Sequence, residues 1–422
     1  MLLRVAGFLL MVVFFVPALF AQSSEDVSQD STETVSLLPN IFVDCDFCNS
    51  TYIRRQLEFA NHVRDQDDAD IYILVTSQQT GSGGRAYKLA FEGKNEFAGI
   101  EHTLEHSARQ DETDDERRSG RMRVLKMGLM PYMAMAGKAT DFDIDYEAVT
   151  STGQIGLGQD DPWNNWVFNI SVGGGYEGEE REEQLEFEGG FRVQRVTEAF
   201  KVVADLDVEI EEETFDSGEE TIRSKVSEVD VDVFLVKSIN DHWSYGVVTG
   251  FRAATFTNIK GRVDINPAIE FNVYPWEESD RRSITFAYFP GVQRVVYNLE
   301  TLFGKTSETI FRHTLRAQLD FEQPWGEVFA QIEGSHLLND FSKNRLELFS
   351  FVDVRVARGV SVFLRGSAEI IHDQLFLPKG DASLEEVLLR QRQLATDFEL
   401  SAEIGLRFTF GSTYNNVVNP RL

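Results

Sequence analysis

After its first 21 residues the chain has no apolar run near the ~18–20 residues that a membrane-spanning helix needs. Basic residues are in short supply: 40 Lys and Arg face 69 Asp and Glu, for a formal net charge of −29. That balance argues against nucleic acid as a partner, which takes basic stripes. It argues equally against docking by charge on an anionic membrane surface. Divalent cations or positively charged solutes are compatible with it, and so is plain solubility. No G-x-S-x-G is present, which leaves a Ser-His-acid hydrolase little support. Cysteine occurs only at positions 45 and 48, and none follows the apolar run at the start, which argues against a lipoprotein anchor.

What is present begins with an export signal. Arg4 supplies the positive start, Phe8 to Val16 the apolar core, and Ala18-Leu19-Phe20-Ala21 a cleavage site, so residues 1–21 predict a signal peptide. An exported chain without a spanning helix can still be integral if its strands close into a barrel, because closure satisfies every backbone group. The alternative is a secreted soluble β protein.

From about Trp163 to Phe410 one pattern recurs: a stretch of apolar/polar alternation, then a polar break. In Phe398 to Phe410 every even position is apolar and every odd one charged, small or polar. A period of two puts one set on each face of a strand. These stretches exceed the ~5–6 residues of a soluble strand and match the ~9–11 of a tilted transmembrane strand. Twelve strands are expected, near 165–175, 184–195, 199–212, 222–237, 243–257, 262–274, 282–296, 307–321, 326–337, 344–357, 360–371 and 396–410. An even-stranded barrel has short periplasmic turns and longer outside loops. The short turns fall at Thr197, Asn240-Asp241-His242, Pro275-Trp276-Glu277, Gln323 to Gly326 and Arg358-Gly359. The outside loops are Gly178–Glu183, Glu213–Thr221, Asn258–Gly261, Leu299–Ser307, Asn339–Lys343 and His372–Ala395, most of them expected to be longer. All five Trp, at 163, 166, 243, 276 and 325, lie near the periplasmic ends, as indoles at a lipid–water boundary would.

Before the alternation comes a different unit. Ser23 to Asn40 is polar and aperiodic, a flexible lead-in over 22–40. Ile41-Phe42-Val43 reads as a strand, Tyr52 to Val63 as a helical stripe entered through Asn49-Ser50-Thr51, and Ile71 to Val75 and Ala86 to Phe91 as strands around the Gly81–Gly84 turn. Glu96 to His106 makes a further strand, and Asp114-Asp115-Glu116 opens a helix to about Met135. Residues 41–136 thus predict a periplasmic α+β domain. Residues 137–162 form a Gly- and Asp-rich linker with one strand at Ile144 to Val149, 163–411 the transmembrane antiparallel β-barrel of about 12 strands, and 412–422 a periplasmic tail.

Alternation turns Asp205, Asp207, Glu209, Asp230, Asp232, Arg252, Glu270, Arg316, Asp320, Glu333, Glu347, Asp353, Arg355, Arg365, Glu369, Glu399, Glu403 and Arg407 toward the lumen. Acids and arginines occur together, as a salt-bridge lattice or as a conducting path. Cys45-Asp46-Phe47-Cys48 sits between a strand and a helix, the placement of a thioredoxin-type dithiol. A disulfide, redox chemistry and, with Asp44 and Asp46, a zinc site are its three readings, the disulfide first. His102-Thr103-Leu104-Glu105-His106 fits H-x-x-E-H and resembles the zinc motif of pitrilysin-like peptidases, Gly99-Ile100 included. That motif needs a buried helix and a distant Glu, and the flanks here depart from it, so no metal, cofactor or catalytic residue is expected. In the loop after strand eleven, Ser383-Leu384-Glu385-Glu386 is a capping box opening an amphipathic helix, expected to fold over or into the barrel mouth.

Two stretches carry a resemblance: Phe42 to Cys48 with Ala69 to Thr76 and Thr80 to Gly84, and Thr409 to Arg421. They resemble an uncharacterised family of exported outer-membrane β-barrel proteins with an N-terminal α/β domain. By element order that domain is similar to the one opening the TolB periplasmic protein. The resemblance implies an outer-membrane location and supplies no activity. The expected role is a channel, export or envelope-organising component, with outer-membrane lipid as one partner and a periplasmic protein reached through residues 41–136 as another. The alternatives are an outer-membrane hydrolase, or a dithiol function at Cys45 and Cys48.

Overall fold

The computed structural model describes residues 38–142 (apart from 82), 163–216, 221–380 and 395–416 (apart from 415). The signal peptide, the strand expected at Ile144 to Val149 and the helix expected from Ser383 lie outside the described residues.

The first sheet has five strands, β1 (Asn40–Asp44), β2 (Asn61–His62), β3 (Ile71–Gln79), β4 (Arg85–Gly93) and β5 (Glu101–Ala108), in the order β2-β1-β3-β4-β5. β1 runs parallel to β2 and β3, and the remaining pairs are antiparallel. β3 occupies the centre, which explains why Ile71 to Val75 is an unbroken apolar run: both its faces are buried. Helix α1 (Ser50–Gln56) is capped by the Asn49 side chain, and α2 (Asp114–Met135) by a Thr113–Glu116 capping box. α2 packs Leu125, Leu129, Tyr132 and Met133 against Leu89 and Phe91. Gly128 makes the approach possible, since a Cβ there would lie 2.0 Å from the Phe91 ring. The helical stripe expected to reach Val63 is shorter. Leu57 leaves the helical region (φ −114°, ψ 54°), and Asn61 and His62 extend to pair with β1. Leu57, Ala60 and Val63 are buried all the same, so the apolar spacing recorded burial rather than helix.

The second sheet has twelve strands: β6 (Trp166–Gly178), β7 (Glu182–Val196), β8 (Phe200–Asp216), β9 (Thr221–Ser238), β10 (Trp243–Ala254), β11 (Ile259–Asn272), β12 (Arg282–Tyr297), β13 (Ser307–Gln323), β14 (Gly326–Leu337), β15 (Asp340–Ala357), β16 (Val360–Ile371) and β17 (Phe398–Phe408). Each pairs antiparallel with its chain neighbours, an up-and-down meander. Among the described residues no ladder joins β6 to β17, so the expected barrel stands as an open sheet with those two strands at its edges.

Register sorts the residues cleanly. Trp243, Phe271, Phe286, Ala317, Ile332, Leu348, Ala368 and Leu400 are successive partners across β10 to β17. One residue along, Ser244, Glu270, Ala287, Arg316, Glu333, Glu347, Glu369 and Glu399 are successive partners too. Directly opposed residues share a face, so one face is an apolar row and the other a charged one.

The two ends of this sheet differ. At the near end, where β6, β8, β10, β12, β14 and β16 begin, lie Trp163, Trp166, Trp243, Trp276 and Trp325. At the far end the expected contrast in loop length is mostly missing. β8, β9 and β15 run into segments read as loops, and only 298–306 and 372–397 remain long there. Acidic residues such as Glu213 and Asp340 kept up the ladder where polarity alone suggested a loop.

Candidate functional site

All eighteen residues expected to line the lumen, Glu209 and Glu347 included, fall on the charged face by register. Only some of them meet. Arg252 reaches Asp230 at 3.6 Å, Arg316 reaches Glu333 at 2.7 Å, and Arg407 reaches Asp353 at 3.2 Å. Asp205 faces Asp232 and Asp207 faces Asp230 across β8 and β9, so acids also stand opposite acids. Arg365 faces Glu403 across β16 and β17 and lies over the Phe351 ring. Several members of the same face were missed: Arg192 on Asp205 (3.4 Å), Glu228 on Arg252 (2.7 Å), and Arg262, Arg312 and Arg345. The parity that selected Glu270 and Arg316 selects Arg262 and Arg312 equally, so the signal was there.

The five-stranded unit covers the near end. Lys88 Nζ lies 3.2 Å from Asp280, whose side chain is 7% exposed, and Thr76 and Gln78 donate to Asp280 and Ser279. Gly81 sits on Val196 at the end of β7, where a Cβ would come within 2.7 Å of the Val196 carbonyl oxygen. Across the unit, Asp65 accepts the Gly359 N–H at 2.8 Å and Asp68 pairs with Arg358. The chain after β17 joins the same seat. The Arg64 N–H donates to the Thr413 carbonyl, the His62 N–H donates to Asn416 at 2.6 Å, and Val63 bridges Tyr414.

Between this unit and the charged face is a cavity of about 400 Å³, into which Asp44, Asp46, Glu322, Glu327, Asp353 and Arg355 turn. Burial pushes the Asp44 carboxyl above the usual carboxylate range. The Tyr72 hydroxyl, donating at 2.6 Å, and Arg355 offset part of that. Arg355 also lies over the Phe42 ring, so β1 and β15 are tied by packing as well as by charge. Burial holds the His62 imidazole below its ordinary value, while its ring Nε2 lies 3.2 Å from the Leu57 carbonyl oxygen.

Cys45 and Cys48 are joined in a disulfide (Cα–Cα 5.4 Å) at the entry to α1, and their loop lies against this cavity. His102 and His106 are on a strand, β5, and not on a helix. His102 is stacked against Phe91 and Tyr132 with its Nε2 2.9 Å from the Gly128 carbonyl oxygen, and His106 is stacked on Tyr87. Four residues along a strand put the two rings about 13 Å apart, too far to share one ion.

At the far end the charged face turns apolar. Ile259, Val295, Tyr297 and Ile310 form a buried cluster there, and Leu375 and Phe376 from the connection after β16 pack onto it. That connection is pinned by Asn258, whose side-chain amide donates to the Phe376 carbonyl, and by a Thr301–Pro378 bridge.

No protein-family model and no curated protein matches the chain. Among solved structures it is similar to a NanC porin in a rhombohedral crystal form, at 14% identity over 57% of this chain and 99% of the porin, with a TM-score of 0.28. At that score the likeness adds nothing to what the sheet itself displays.

Proposed function

We propose that the chain is an outer-membrane β-barrel of the exported kind that its two signature stretches resemble. Its charged interior is closed at the periplasmic end by the N-terminal α+β domain and narrowed at the other by the segment after β16, which together make a gated channel. The observation that carries this reading is the sidedness of twelve consecutive strands. Ile170, Phe286, Leu400 and Ile404 are 75%, 51%, 71% and 77% exposed, while the opposite face carries the ions. An apolar outside with a polar inside is the pattern of a transmembrane barrel. An exposed apolar surface of that extent is out of place on a soluble monomer.

The seat of the small domain supports curvature toward closure. It touches the end of β7 at Val196 and the chain beyond β17 at Thr413. Ten strand spacings of ~4.8 Å would separate those strands by ~48 Å in a flat sheet. A compact unit of about 100 residues has a radius of gyration of about 13 Å and could not bridge that gap. The sheet must therefore bend round beneath it. Trp at that same end agrees with a lipid–water boundary there.

The test is planar-bilayer conductance of purified full-length protein. Wild type should open rarely, and a variant combining Asp65→Ala, Asp68→Ala and Asp280→Ala, which unties the seat, should open more often or to a larger level. Identical, ion-impermeable behaviour of both correctly folded proteins would remove the channel reading.

A further inference from the structure

Four guanidinium groups, those of Arg252, Arg262, Arg312 and Arg345, converge on a cavity of about 420 Å³ beneath Leu375 and Phe376 at the far end of the charged face. They are unequally paired. Arg252 has Glu228 at 2.7 Å, and Arg345 has Asp373 at 2.9 Å and Glu369 at 3.1 Å. Among the described residues Arg262 pairs only with Asp264, at 3.6 Å, and Arg312 only with Asp373, at 4.0 Å, beside a 2.7 Å bond to the Ser335 hydroxyl. The Nε atoms of Arg262 and Arg312 are both buried, and among the described residues neither has a hydrogen-bond partner.

The two side chains are 33% and 28% exposed, so their outer N–H groups are open to the cavity, and a planar fork of N–H donors is matched by carboxylate or phosphate oxygens. Asp373, the acid nearest Arg312, is already committed to Arg345 at the shorter distance. Gln293, on β12 between the strands that carry Arg262 and Arg312, adds an uncharged amide to the same wall. The cavity wall sets four arginines against Glu333, Glu347 and Asp373, a small positive excess in a chain whose net charge is −29. We propose that Arg262 and Arg312 bind the oxyanion group, carboxylate or phosphate, of a small solute entering from the far end. Leu375 and Phe376 would form the apolar roof over the rest of that solute.

The inference rests on reading this face as a water-filled interior, but binding is measured apart from conductance. Full-length protein refolded in detergent would be titrated calorimetrically with inorganic phosphate and, separately, with acetate, at constant ionic strength. Heat-dependent gel mobility would check the fold of each variant. Wild type should bind at least one of the two anions, and which one assigns the oxyanion. Arg262→Gln and Arg312→Gln should each weaken binding about tenfold or more, the loss expected for a charge-assisted bond. Arg312→Lys, which keeps the charge and loses the fork, should fall between and guards against a misfolded Gln variant. Arg407→Gln, at the near end, should bind like wild type. The proposal is overturned if wild type binds neither anion, if the Arg262 and Arg312 variants bind unchanged, or if Arg407→Gln loses as much as they do. A protein that conducts but binds neither anion would sink this site and leave the channel standing.

Discussion

The chain builds two sheets from the same kinds of residue and turns them in opposite directions. In the five-stranded sheet Ile71 and Ile73 are 0% exposed and share one core with Leu129 and Tyr132. In the twelve-stranded sheet Ile404 is 77% exposed, and Glu403 and Arg407 lie on the opposite face of the same strand. Propensity does not distinguish Ile73 from Ile404, because both suit a pleated backbone. The difference is what each face meets: its own core in one case, lipid in the other by our reading. A single chain can hold both because their contact is polar, made through Lys88, Asp280, Asp65 and the Gly359 N–H rather than through a shared apolar core.

The largest break in that contrast should come from the small core. Leu129→Ala removes a fully buried side chain and should cost about 2–5 kcal/mol, seen as early loss of the five-stranded unit in hydrogen exchange while the twelve strands stay protected. Simultaneous loss of both sheets would mean that they are one cooperative unit. Next, Ile404→Arg should cost about 2–4 kcal/mol if Ile404 meets lipid near the midplane, and Glu403→Gln should leave heat-resistant mobility in detergent intact. A heat-resistant Ile404→Arg beside a labile Glu403→Gln would invert the two faces. A smaller effect belongs to the seat. Asp65→Ala leaves the Gly359 N–H without its acceptor, a loss of about 1–3 kcal/mol, and limited proteolysis should then release the N-terminal unit sooner; unchanged release would make that contact incidental.

The smallest effect is with pH. Burial lowers the His62 imidazole in the folded state, so the folded form prefers it neutral. The stability it contributes is present above the unfolded value of about 6.5 and is lost as pH falls through the lower folded value. Denaturant midpoints of the small unit should therefore drop on acidification, and His62→Gln should flatten the drop. An equal drop in that variant would assign it to other groups.

Much of this was legible in the sequence, for reasons that can be named. Strict alternation located the twelve strands, because a period of two is forced by the pleat, and it put Glu399, Glu403 and Arg407 on one face. It failed where polarity stood in for geometry: Asp340 to Lys343 reads as a loop yet extends β15. The α1 stripe misled because burial at Leu57, Ala60 and Val63 is met equally by a turn. The near-end seat left no local trace, since His62 and Asn416 meet only in three dimensions. The arginine cavity was half legible. Parity places Arg262 and Arg312 on the charged face, but Asp373, Leu375 and Phe376 come from a loop whose return onto that face no periodicity announces.

The central claim is that alternate residues of one strand meet lipid and a polar interior. Spin labels at single cysteines placed in turn along Leu400 to Arg407 of β17, in reconstituted bilayers with the native disulfide left oxidised, measure it directly. Labels at 400, 402, 404 and 406 should be relaxed by membrane-dissolved oxygen, and labels at 401, 403, 405 and 407 by a water-soluble nickel complex or by neither reagent. Uniform access of the nickel complex along the strand would contradict the account, as would oxygen relaxation strongest at 403 and 407.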